Sequence, residues 1–264
     1  MTTLRLALAT IPAALTCPSA NVEVMRQCIR EAETGKAQLV VFPELSLTGY
    51  ANGASTSQRA LSEGEALSLL SKATSETDIG VLAGFAEKDE NGALYASHIA
   101  LLPDGSHTTY RKVHLAPPEQ GVYTPGTTLP LFAFEGFSIG MMLCYDAHFP
   151  LAFHRMAQEG ADLIIIPHAS PRGTSEEKYD SWMRHLPARA FDNSVWVAAV
   201  NQCGTNEAGL SFPPLALSLD PSGHLTGPPR LNQGLFFVDI SKEKLSCVRE
   251  HPMRYFLPNT RTDI

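Results

Sequence analysis

The chain has 264 residues, a formal net charge of −7 and a pI near 5.7. A nucleic-acid-binding protein needs a basic surface to neutralise phosphates, so this acidic balance argues against a nucleic-acid partner. Hydrophobic residues make up 44% of the chain, which is enough for a sizeable core. Because no apolar stretch approaches the roughly 20 residues of a membrane span, we expect no membrane partner either.

Five cysteines are spread along the chain, at Cys17, Cys28, Cys144, Cys203 and Cys247. Their number is odd, their spacings are long and no CxxC pair occurs, which favours free thiols in a reducing compartment over a disulfide framework. Zinc-type ligand spacing is absent among them as well. We therefore expect a cytoplasmic protein without a metal or another cofactor.

The first apolar segment, Leu4–Ile11, has two interpretations. A secretory signal would need a positively charged leader, an apolar core and a cleavage pattern. Here the single arginine, Arg5, lies inside the apolar stretch, and Pro12 follows soon after it. We therefore interpret Leu4–Ile11 as a first β-strand.

Short apolar segments recur along the rest of the chain, and several are continuous runs of the kind found in strands buried on both faces. Leu163–Ile166 is the clearest of these runs. A turn over Asp89–Gly92 predicts a hairpin within Ala83–Leu102. The further predicted strands are Gln38–Phe42, Gly80–Phe85, Ala96–Leu102, His107–Lys112, Phe137–Leu143, Asp162–Pro167, Val195–Asn201, Leu215–Leu219 and Gly234–Asp239.

Segments with helical periodicity lie between some of these strands. The first helix is expected to begin at an N-cap, Asn21, and to end just before Gly35. Strands interleaved with helices predict an α/β fold, and no change in composition marks a domain boundary. The apolar faces of three predicted helices are formed by Met25, Cys28, Ile29 and Ala32, by Phe153, Met156 and Ala157, and by Tyr179, Trp182, Met183 and Leu186.

Three reactive side chains, Glu44, Lys112 and Cys144, each stand at or just past the end of a predicted strand. Open α/β sheets collect their ligand sites at the carboxyl ends of strands, so an acid, an ammonium and a thiol in these places can converge on one pocket. Together they would form an acyl-transfer set with a nucleophile, a base and a cation. The backbone N–H of Tyr145 or of a neighbour could add a donor for the oxyanion.

Each of these residues also has a plainer interpretation when it is taken alone. Cysteine is among the most buried residue types, so an isolated Cys144 would more often be a structural core residue. Glu44 alone would usually be a solvated or ion-paired loop acid, and Lys112 alone a surface lysine at a strand end. The sequence around each residue decides between these interpretations.

The segments around the three residues resemble the signature blocks of the nitrilase superfamily, the carbon–nitrogen hydrolases. The blocks are Phe42–Glu44, Arg111–Leu115 and Leu143–Asp146. They occur in the family's order, with Lys112 placed 68 residues after Glu44 and Cys144 placed 32 residues after Lys112. One block alone would be a weak signal, but the ordered combination is specific. Further segments that resemble the family extend over nearly the whole chain: Glu119–Gly126, Gly160–Pro167, Ala188–Asn201 and Arg254–Arg261.

The resemblance implies a four-layer α-β-β-α sandwich, with residues 1–264 as a single carbon–nitrogen hydrolase domain and a C-terminal extension from about residue 250. It also implies a homodimer or a higher homo-oligomer, joined across helices near the active site. Trp182, Met183 and Leu186, or the C-terminal tail, are candidates for that contact. Ordinary core packing is the alternative for the three helical residues, and composition alone does not indicate an oligomer.

The resemblance further implies a role for each catalytic residue. Cys144 attacks the carbonyl or nitrile carbon and forms a thioester, Glu44 transfers protons and activates water, and Lys112 stabilises the tetrahedral intermediate. Glu119 resembles the second glutamate of the family, which orients the substrate and the other catalytic groups. The candidates for substrate binding are Tyr50, Tyr145, His148, Phe149, His168, Ala169 and Trp182, and any of them could instead belong to the core or support a neighbour.

The sequence departs from the commonest family pattern just after Cys144. Many amidase-like members carry an arginine four residues after the nucleophile and a glutamate three residues beyond it, where this chain has His148 and Leu151. His148 with Pro150 and Leu151 resembles the N-carbamoyl-β-alanine hydrolase branch, whereas Asp146 fits amidase-like members better. Nitrile-cleaving members usually follow the nucleophile with Trp-Glu, which is absent here.

The sequence therefore predicts cysteine-dependent hydrolysis of a small linear amide, with release of ammonia and a carboxylic acid. An N-carbamoyl amide is the first alternative substrate, and a nitrile is a weaker one. Two other classes stay open. The nine histidines prompt a metal-dependent amidohydrolase, although no HxH or HExxH pattern occurs. The last class is a non-catalytic binding protein, against which the combination of Glu44, Lys112 and Cys144 argues.

Overall fold

The structure is a computed structural model and describes residues 2–15, 17–51, 53 and 55–261. Its strands are β1 (Thr3–Thr10), β2 (Leu39–Val41), β3 (Gly80–Lys88), β4 (Leu94–Leu101), β5 (His107–Arg111), β6 (Leu131–Phe134), β7 (Phe137–Met141), β8 (Leu163–His168), β9 (Trp196–Asn201), β10 (Gly204–Thr205), β11 (Ser211–Phe212), β12 (Ala216–Leu219) and β13 (Gly234–Ser241). Its α-helices are α1 (Pro18–Thr34), α2 (Thr56–Arg59), α3 (Glu63–Thr74), α4 (Pro150–Gln158), α5 (Ser175–Met183), α6 (Leu186–Asn193) and α7 (Lys242–Arg249). Short 3₁₀ helices cover Pro117–Glu119, Cys144–His148 and Leu257–Asn259.

Two mixed β-sheets organise these elements. The first has the strand order β13-β1-β2-β3-β4-β5, and the second has the order β12-β9-β8-β7-β6. Strands β1, β2 and β3 run parallel, as do β7, β8 and β9, whereas the outer neighbours in both sheets pair antiparallel. A separate short ribbon pairs β10 with β11. The strands that precede Glu44, Lys112 and Cys144 are β2, β5 and β7, so the candidate catalytic residues come from both sheets.

The two sheets pack face to face, and helices cover the outer face of each. The inner layer buries side chains of both sheets in one cluster, for example Leu6 of β1 and Ile165 of β8. Helices α1 and α3 cover the first sheet through residues such as Ile29 and Leu70. Helices α4 and α6 cover the second sheet, where Phe153 is fully buried. The fold is the four-layer α-β-β-α sandwich that the family resemblance implies.

The predicted strands are all present, and the N-terminal segment is a strand as expected. Strand β1 lies inside the first sheet, between β13 and β2, and the predicted turn at Asp89–Gly92 joins β3 to β4. The sequence analysis missed the short strands β6, β10 and β11 and the helices α2, α3 and α7. Helix α3 nevertheless carries a local signal, because Ser62 and Glu65 form a capping box at its start.

Two predicted helix boundaries are wrong. Helix α1 begins at Pro18, three residues before the expected cap, because proline is well suited to a first helical position. Asn21 lies inside that helix, and its side-chain amide instead bonds to the backbone of Ala14 and to the carbonyl of Leu47. The predicted continuous helix through Leu186 is broken into α5 and α6, since Pro187 favours a new helix start there.

The residues considered for an oligomer contact have different surroundings in the structure. Trp182 and Leu186 are buried in the cluster beneath α4 and α6, and Met183 packs against it. In the C-terminal tail, by contrast, Met253 and Phe256 are exposed. The homo-oligomer and the single-domain assignment with its C-terminal extension stay predictions. Within the described part of the chain, no helix has the length and hydropathy that crossing a membrane requires.

Candidate active site

The structure brings the four candidate catalytic residues together between the ends of β2, β5 and β7. Lys112 Nζ lies 2.7 Å from Glu44 Oε1 and 2.9 Å from Glu119 Oε1, so one ammonium bridges two carboxylates. The side chains of Lys112 and Glu44 are both 0% exposed. Cys144 lies close enough to all three charged groups to interact with each of them electrostatically. Lys112 lies 68 positions after Glu44, and both follow strands of the first sheet. Cys144 lies 32 positions after Lys112 and follows a strand of the second sheet, so the packing of the two sheets brings it to the other residues.

Backbone donors hold both carboxylates in place. The remaining oxygen of Glu44 accepts the backbone N–H of Ala169 at 2.9 Å, and the remaining oxygen of Glu119 accepts that of Ala116 at 2.8 Å. Ala169 follows β8, so the second sheet fixes an acid carried by the first. Both carboxylates therefore reach the site with their orientation already set.

Cys144 occupies a strained turn directly after β7. Its φ angle is +42°, in the left-handed region that residues other than glycine rarely adopt. Such a conformation costs about 1–3 kcal/mol and persists only where the surrounding contacts enforce it. Cys144 and Tyr145 begin a 3₁₀ helix, so their backbone N–H groups have no acceptor inside that helix.

Asp146 supplies the contacts that hold this turn. Its Oδ2 accepts the hydroxyl of Tyr110 at 2.7 Å and the backbone N–H of Leu143 at 3.0 Å. Its Oδ1 accepts both the backbone N–H and the ring Nδ1–H of His114, each at 2.8 Å. Asp146 thus ties the Cys144 turn to the segment that follows Lys112. The sequence analysis noted Asp146 for its family pattern but not for this role.

Burial dominates the proton affinities in the site. Burial raises the pKa of Glu44 to about 7, against the opposing charge of Lys112 and with support from Glu119. Burial, reinforced by Glu44, also raises the pKa of the Cys144 thiol, although Lys112 acts in the opposite direction. For Lys112, burial by itself would lower the pKa, but the charges of Glu44, Cys144 and Glu119 outweigh it and hold the pKa well above its usual value. The resting site therefore contains an ammonium and a neutral thiol.

A cavity of about 280 Å³ opens beside Cys144 and Glu119. Six of the seven predicted substrate-binding residues line it, namely Tyr50, Tyr145, His148, His168, Ala169 and Trp182. Phe149 is not among the lining residues. Its ring stacks on His114 with centroids 3.8 Å apart and contacts the Tyr145 ring edge-on at 5.5 Å. Direct contact between Phe149 and a ligand therefore stays a prediction, with support of Tyr145 as the alternative role.

His168 presents a defined hydrogen-bonding edge to the cavity. Its Nδ1 lies 2.8 Å from the carbonyl oxygen of Ile166, which can only accept, so Nδ1 carries the proton. Burial holds the pKa of His168 well below its usual value, which keeps the ring neutral. The ring packs on Trp182 with centroids 4.2 Å apart. A neutral ring with a protonated Nδ1 offers Nε2 as an acceptor.

The sequence departs from the family pattern at two positions, and only one of them, His148, is among the cavity-lining residues. His148 lines the cavity and lies beside His185, with ring centroids 4.6 Å apart. Arg189 donates to the carbonyls of Ala147 and His148. Leu151 is 60% exposed, so its side chain does not replace an acidic partner inside the site.

The cavity also has lining residues that the sequence analysis did not single out. They are Ala116, Pro118, Ser170, Pro171, Arg172, Lys178, Ser181, His185 and Leu210. Most belong to the segment between β8 and α6, where no motif marks individual residues. A helix-capping signal, Thr174 with Glu177, does predict the start of α5 and would have placed Lys178 in its first turn. In the part of the chain that the structure describes, no group of three His, Cys, Asp or Glu residues is placed to hold a metal ion.

Comparisons with known proteins agree with this architecture. The carbon-nitrogen hydrolase family model matches residues 5–250. An (R)-stereoselective amidase from Pseudomonas sp. is 30% identical over 216 residues, which cover 81% of this chain and 77% of that protein. A nitrilase from Pyrococcus abyssi is 31% identical over 220 residues, 79% of this chain and 78% of that protein.

A solved structure shows the same fold. An amidase from Nesterenkonia sp. superposes with a TM-score of 0.81 at 25% sequence identity, and the match covers 94% of each chain. The family model spans nearly all of both sheets, and the relatives cover more than two thirds of the chain. The chain belongs to the carbon-nitrogen hydrolase family, the nitrilase superfamily, and is an amidase-type hydrolase of C–N bonds.

Proposed function

We propose that the protein hydrolyses a small linear amide through a thioester on Cys144 and releases ammonia and a carboxylic acid. The observation that carries this proposal is the bridge from Glu44 through Lys112 to Glu119 beside a cavity-lining Cys144. The amidases among the relatives and solved structures support an amide as the substrate. The sequence pattern after Cys144, with Tyr145-Asp146 in place of the Trp-Glu pair, supports the same choice.

Glu44 acts as the base in the first step. The thiol is neutral because burial raises its pKa, so attack requires removal of its proton as the bond forms. With a pKa of about 7, Glu44 is partly ionised near neutral pH and can still return the proton later. Sγ bonds to the amide carbon, the carbonyl π electrons move to oxygen, and the thiol proton moves to Glu44.

The oxyanion that results can be stabilised from two sides. Two of the three N–H groups of Lys112 are used by Glu44 and Glu119, and no described residue accepts the third. The backbone N–H groups of Cys144 and Tyr145 are free of helical partners on the other side. Removing one such donor from an acyl-transfer site lowers the rate about 100- to 1000-fold.

Collapse of the tetrahedral intermediate releases ammonia. The proton held by Glu44 passes to the amide nitrogen, the C–N bond breaks, and the acyl group remains on Sγ as a thioester. Glu44, again a carboxylate, then takes a proton from water as its oxygen attacks the thioester carbon. Breakage of the C–S bond releases the carboxylic acid, and the proton returns to the thiol.

The cavity walls give the remaining predicted residues their proposed roles. Tyr50, Tyr145, Trp182 and Ala169 shape the space around the amide. The Nε2 acceptor of His168 is suited to an amide N–H of the substrate. Phe149 holds Tyr145 in position without touching the ligand.

The experiment that tests this proposal is an ammonia-release screen over linear amides, N-carbamoyl compounds and nitriles, with Cys144→Ala as the blank. Mass spectrometry of the same incubations should detect the acyl group on Cys144. Parallel reactions with iodoacetamide and with a chelator address the metal-dependent class, because a cysteine-dependent enzyme loses activity only with the alkylating agent. Ammonia release that persists in Cys144→Ala would overturn the proposal.

An N-carbamoyl amide is the second candidate, and the position of His148 on the cavity wall is the observation that favours it. Hydrolysis of a carbamoyl group releases carbon dioxide together with ammonia, whereas an ordinary amide releases ammonia alone. Measuring both gases from one reaction separates the two substrates. We further propose that the enzyme is cytoplasmic and a homo-oligomer, as its sequence and its family resemblance predict.

A further inference from the structure

One cationic side chain that lines the cavity has no part in the proposed mechanism. Lys178 lies in the first turn of α5, and its Nζ donates to Ser170 Oγ at 2.8 Å and to the carbonyl oxygen of Pro171 at 3.4 Å. Both partners are neutral. Among the described residues, no carboxylate forms an ion pair with this ammonium.

The environment of Lys178 favours an anionic ligand. Its side chain is half-buried, and this burial lowers its pKa, which the charges of Cys144 and Glu177 offset only in part. An ammonium that leaves water without a charged partner loses hydration that neutral groups replace incompletely. A bound carboxylate would supply the missing charge and a strong, charge-assisted hydrogen bond.

The distribution of charge around the cavity also favours an anionic ligand. Of the described residues that line it, Glu119 alone carries a carboxylate, and both of its oxygens are already used by Lys112 and Ala116. Arg172 lines the cavity as well, and its guanidinium makes no ion pair with a described residue. The wall formed by residues 170–178 thus presents two positive charges to a ligand held at Cys144.

We propose that Lys178 binds a carboxylate at the far end of the substrate, so that the preferred substrates are short monoamides of dicarboxylic acids. This inference rests on the proposed amidase function and adds a recognition residue to it. The amide end would lie at Cys144 and the anionic end at Lys178, with Arg172 adding charge at the rim. A cavity of about 280 Å³ suits a short chain that touches both walls.

The test compares succinamate with isocaproamide, in which an isopropyl group replaces the carboxylate at nearly the same size. Wild-type enzyme should show a higher kcat/KM for succinamate. Because a hydrogen bond to a charged group is one of the stronger polar contacts, Lys178→Met should lower kcat/KM for succinamate about 10- to 100-fold, mainly through KM. The same variant should lower kcat/KM for isocaproamide far less than for succinamate, because isocaproamide has no carboxylate to lose a contact.

Three further variants sharpen the result. Lys178→Arg keeps the charge and should retain the preference for succinamate, while Lys178→Glu should invert it in favour of the cationic β-alaninamide. Lys72→Met, an exposed substitution on α3 remote from the cavity, controls for the general loss of a positive charge. Circular dichroism of each variant checks that it is folded.

Two outcomes would overturn the inference. Wild-type enzyme that hydrolyses isocaproamide as well as succinamate would show that no anionic subsite exists. An equal fall for both amides in Lys178→Met would show that Lys178 acts on Cys144 through its charge and not on the substrate. Failure of the amidase function itself gives a different result, since then neither amide releases ammonia and Cys144 carries no acyl group.

Discussion

Asp146→Asn is expected to lower the reactivity of Cys144 while leaving the fold intact. The carboxylate accepts four hydrogen bonds, from Tyr110, from Leu143 and twice from His114. An asparagine oxygen in the Oδ1 position can keep the two bonds to His114. The amide group in the Oδ2 position can donate to the hydroxyl oxygen of Tyr110, but it offers no acceptor to the backbone N–H of Leu143 or to the O–H of Tyr110.

The magnitude follows from that one lost acceptor. Each buried donor left without a partner costs about 1–3 kcal/mol, and Leu143 N–H and Tyr110 O–H both lose their acceptor, so the free energy of unfolding should fall by about 2–6 kcal/mol. The Leu143 bond also helps to hold Cys144 at a φ of +42°, and the turn can relax once the bond is gone. A displacement of the nucleophile by about 1 Å can lower the rate about 100-fold, so kcat/KM should fall by roughly that factor.

Asp162→Asn is the matched control. Asp162 is also buried, accepts the backbone N–H of Ser138 at 2.9 Å and pairs with Lys242 and Arg249, but it does not line the cavity. This variant should lose a similar amount of stability and keep the kcat/KM of the wild type. Urea unfolding measures the stabilities, amide hydrolysis measures kcat/KM, and the rate of Cys144 alkylation by iodoacetamide reports on the thiol directly.

The comparison of the two variants shows whether Asp146 positions Cys144 or only stabilises the protein. If Asp146→Asn and Asp162→Asn lose equal activity at equal folded fraction, Asp146 stabilises the protein in general and does not position Cys144. Wild-type alkylation and hydrolysis rates in folded Asp146→Asn would refute the reasoning as well.

Four further predictions concern the site and the assembly of the protein. Because Glu44 must be ionised to act as a base and burial raises its pKa to about 7, kcat/KM should fall about tenfold per pH unit below that value, as a pH–rate profile would show. The raised pKa of Glu44 also makes stability depend on pH. Between about pH 4.3 and 7 the folded state keeps a proton that the unfolded chain has lost, so the free energy of unfolding should decline as pH rises through this window. Urea titrations at several pH values should show a smaller decline for Glu44→Gln. Lys112→Met should lower kcat about 100- to 1000-fold, as steady-state kinetics would show. It should also destabilise the protein, most strongly at high pH, because the ionised Glu44 and Glu119 then have no shared cation; thermal melts at two pH values measure this effect. Light scattering should give a mass at least twice the 28.6 kDa of one chain, and a monomeric mass would contradict the predicted homo-oligomer.

Much of the fold could be predicted from local patterns. Continuous apolar runs such as Leu163–Ile166 indicate strands buried on both faces, and these strands all occur in the two sheets. The errors fall where local signals compete. Asn21 has the chemistry of an N-cap, but Pro18 starts the helix earlier, and tertiary contacts with Ala14 and Leu47 use the asparagine side chain.

The candidate site could be predicted only in part. The ordered blocks around Glu44, Lys112 and Cys144 are contiguous in sequence, so a single chain reveals them. Lys178 and His185 lie in a segment without a motif, and they reach the cavity because α5 packs beside the end of β8. Phe149 stacks on His114 and is not among the residues that line the cavity, so its expected contact with a ligand stays a prediction. Such neighbours depend on packing directions that a linear pattern does not encode.

The sequence by itself determined an α/β fold and the residue types available for acyl transfer, because apolar periodicity and short motifs are local properties. The sandwich was implied by the resemblance to the family that those motifs carry. Only the tertiary structure decided that Lys112 bridges Glu44 and Glu119, that Asp146 holds the turn of Cys144, and that burial leaves Cys144 a neutral thiol. The physical reason is that proton affinity and orientation depend on distances and desolvation. Both arise when two sheets exclude water between residues far apart in the chain.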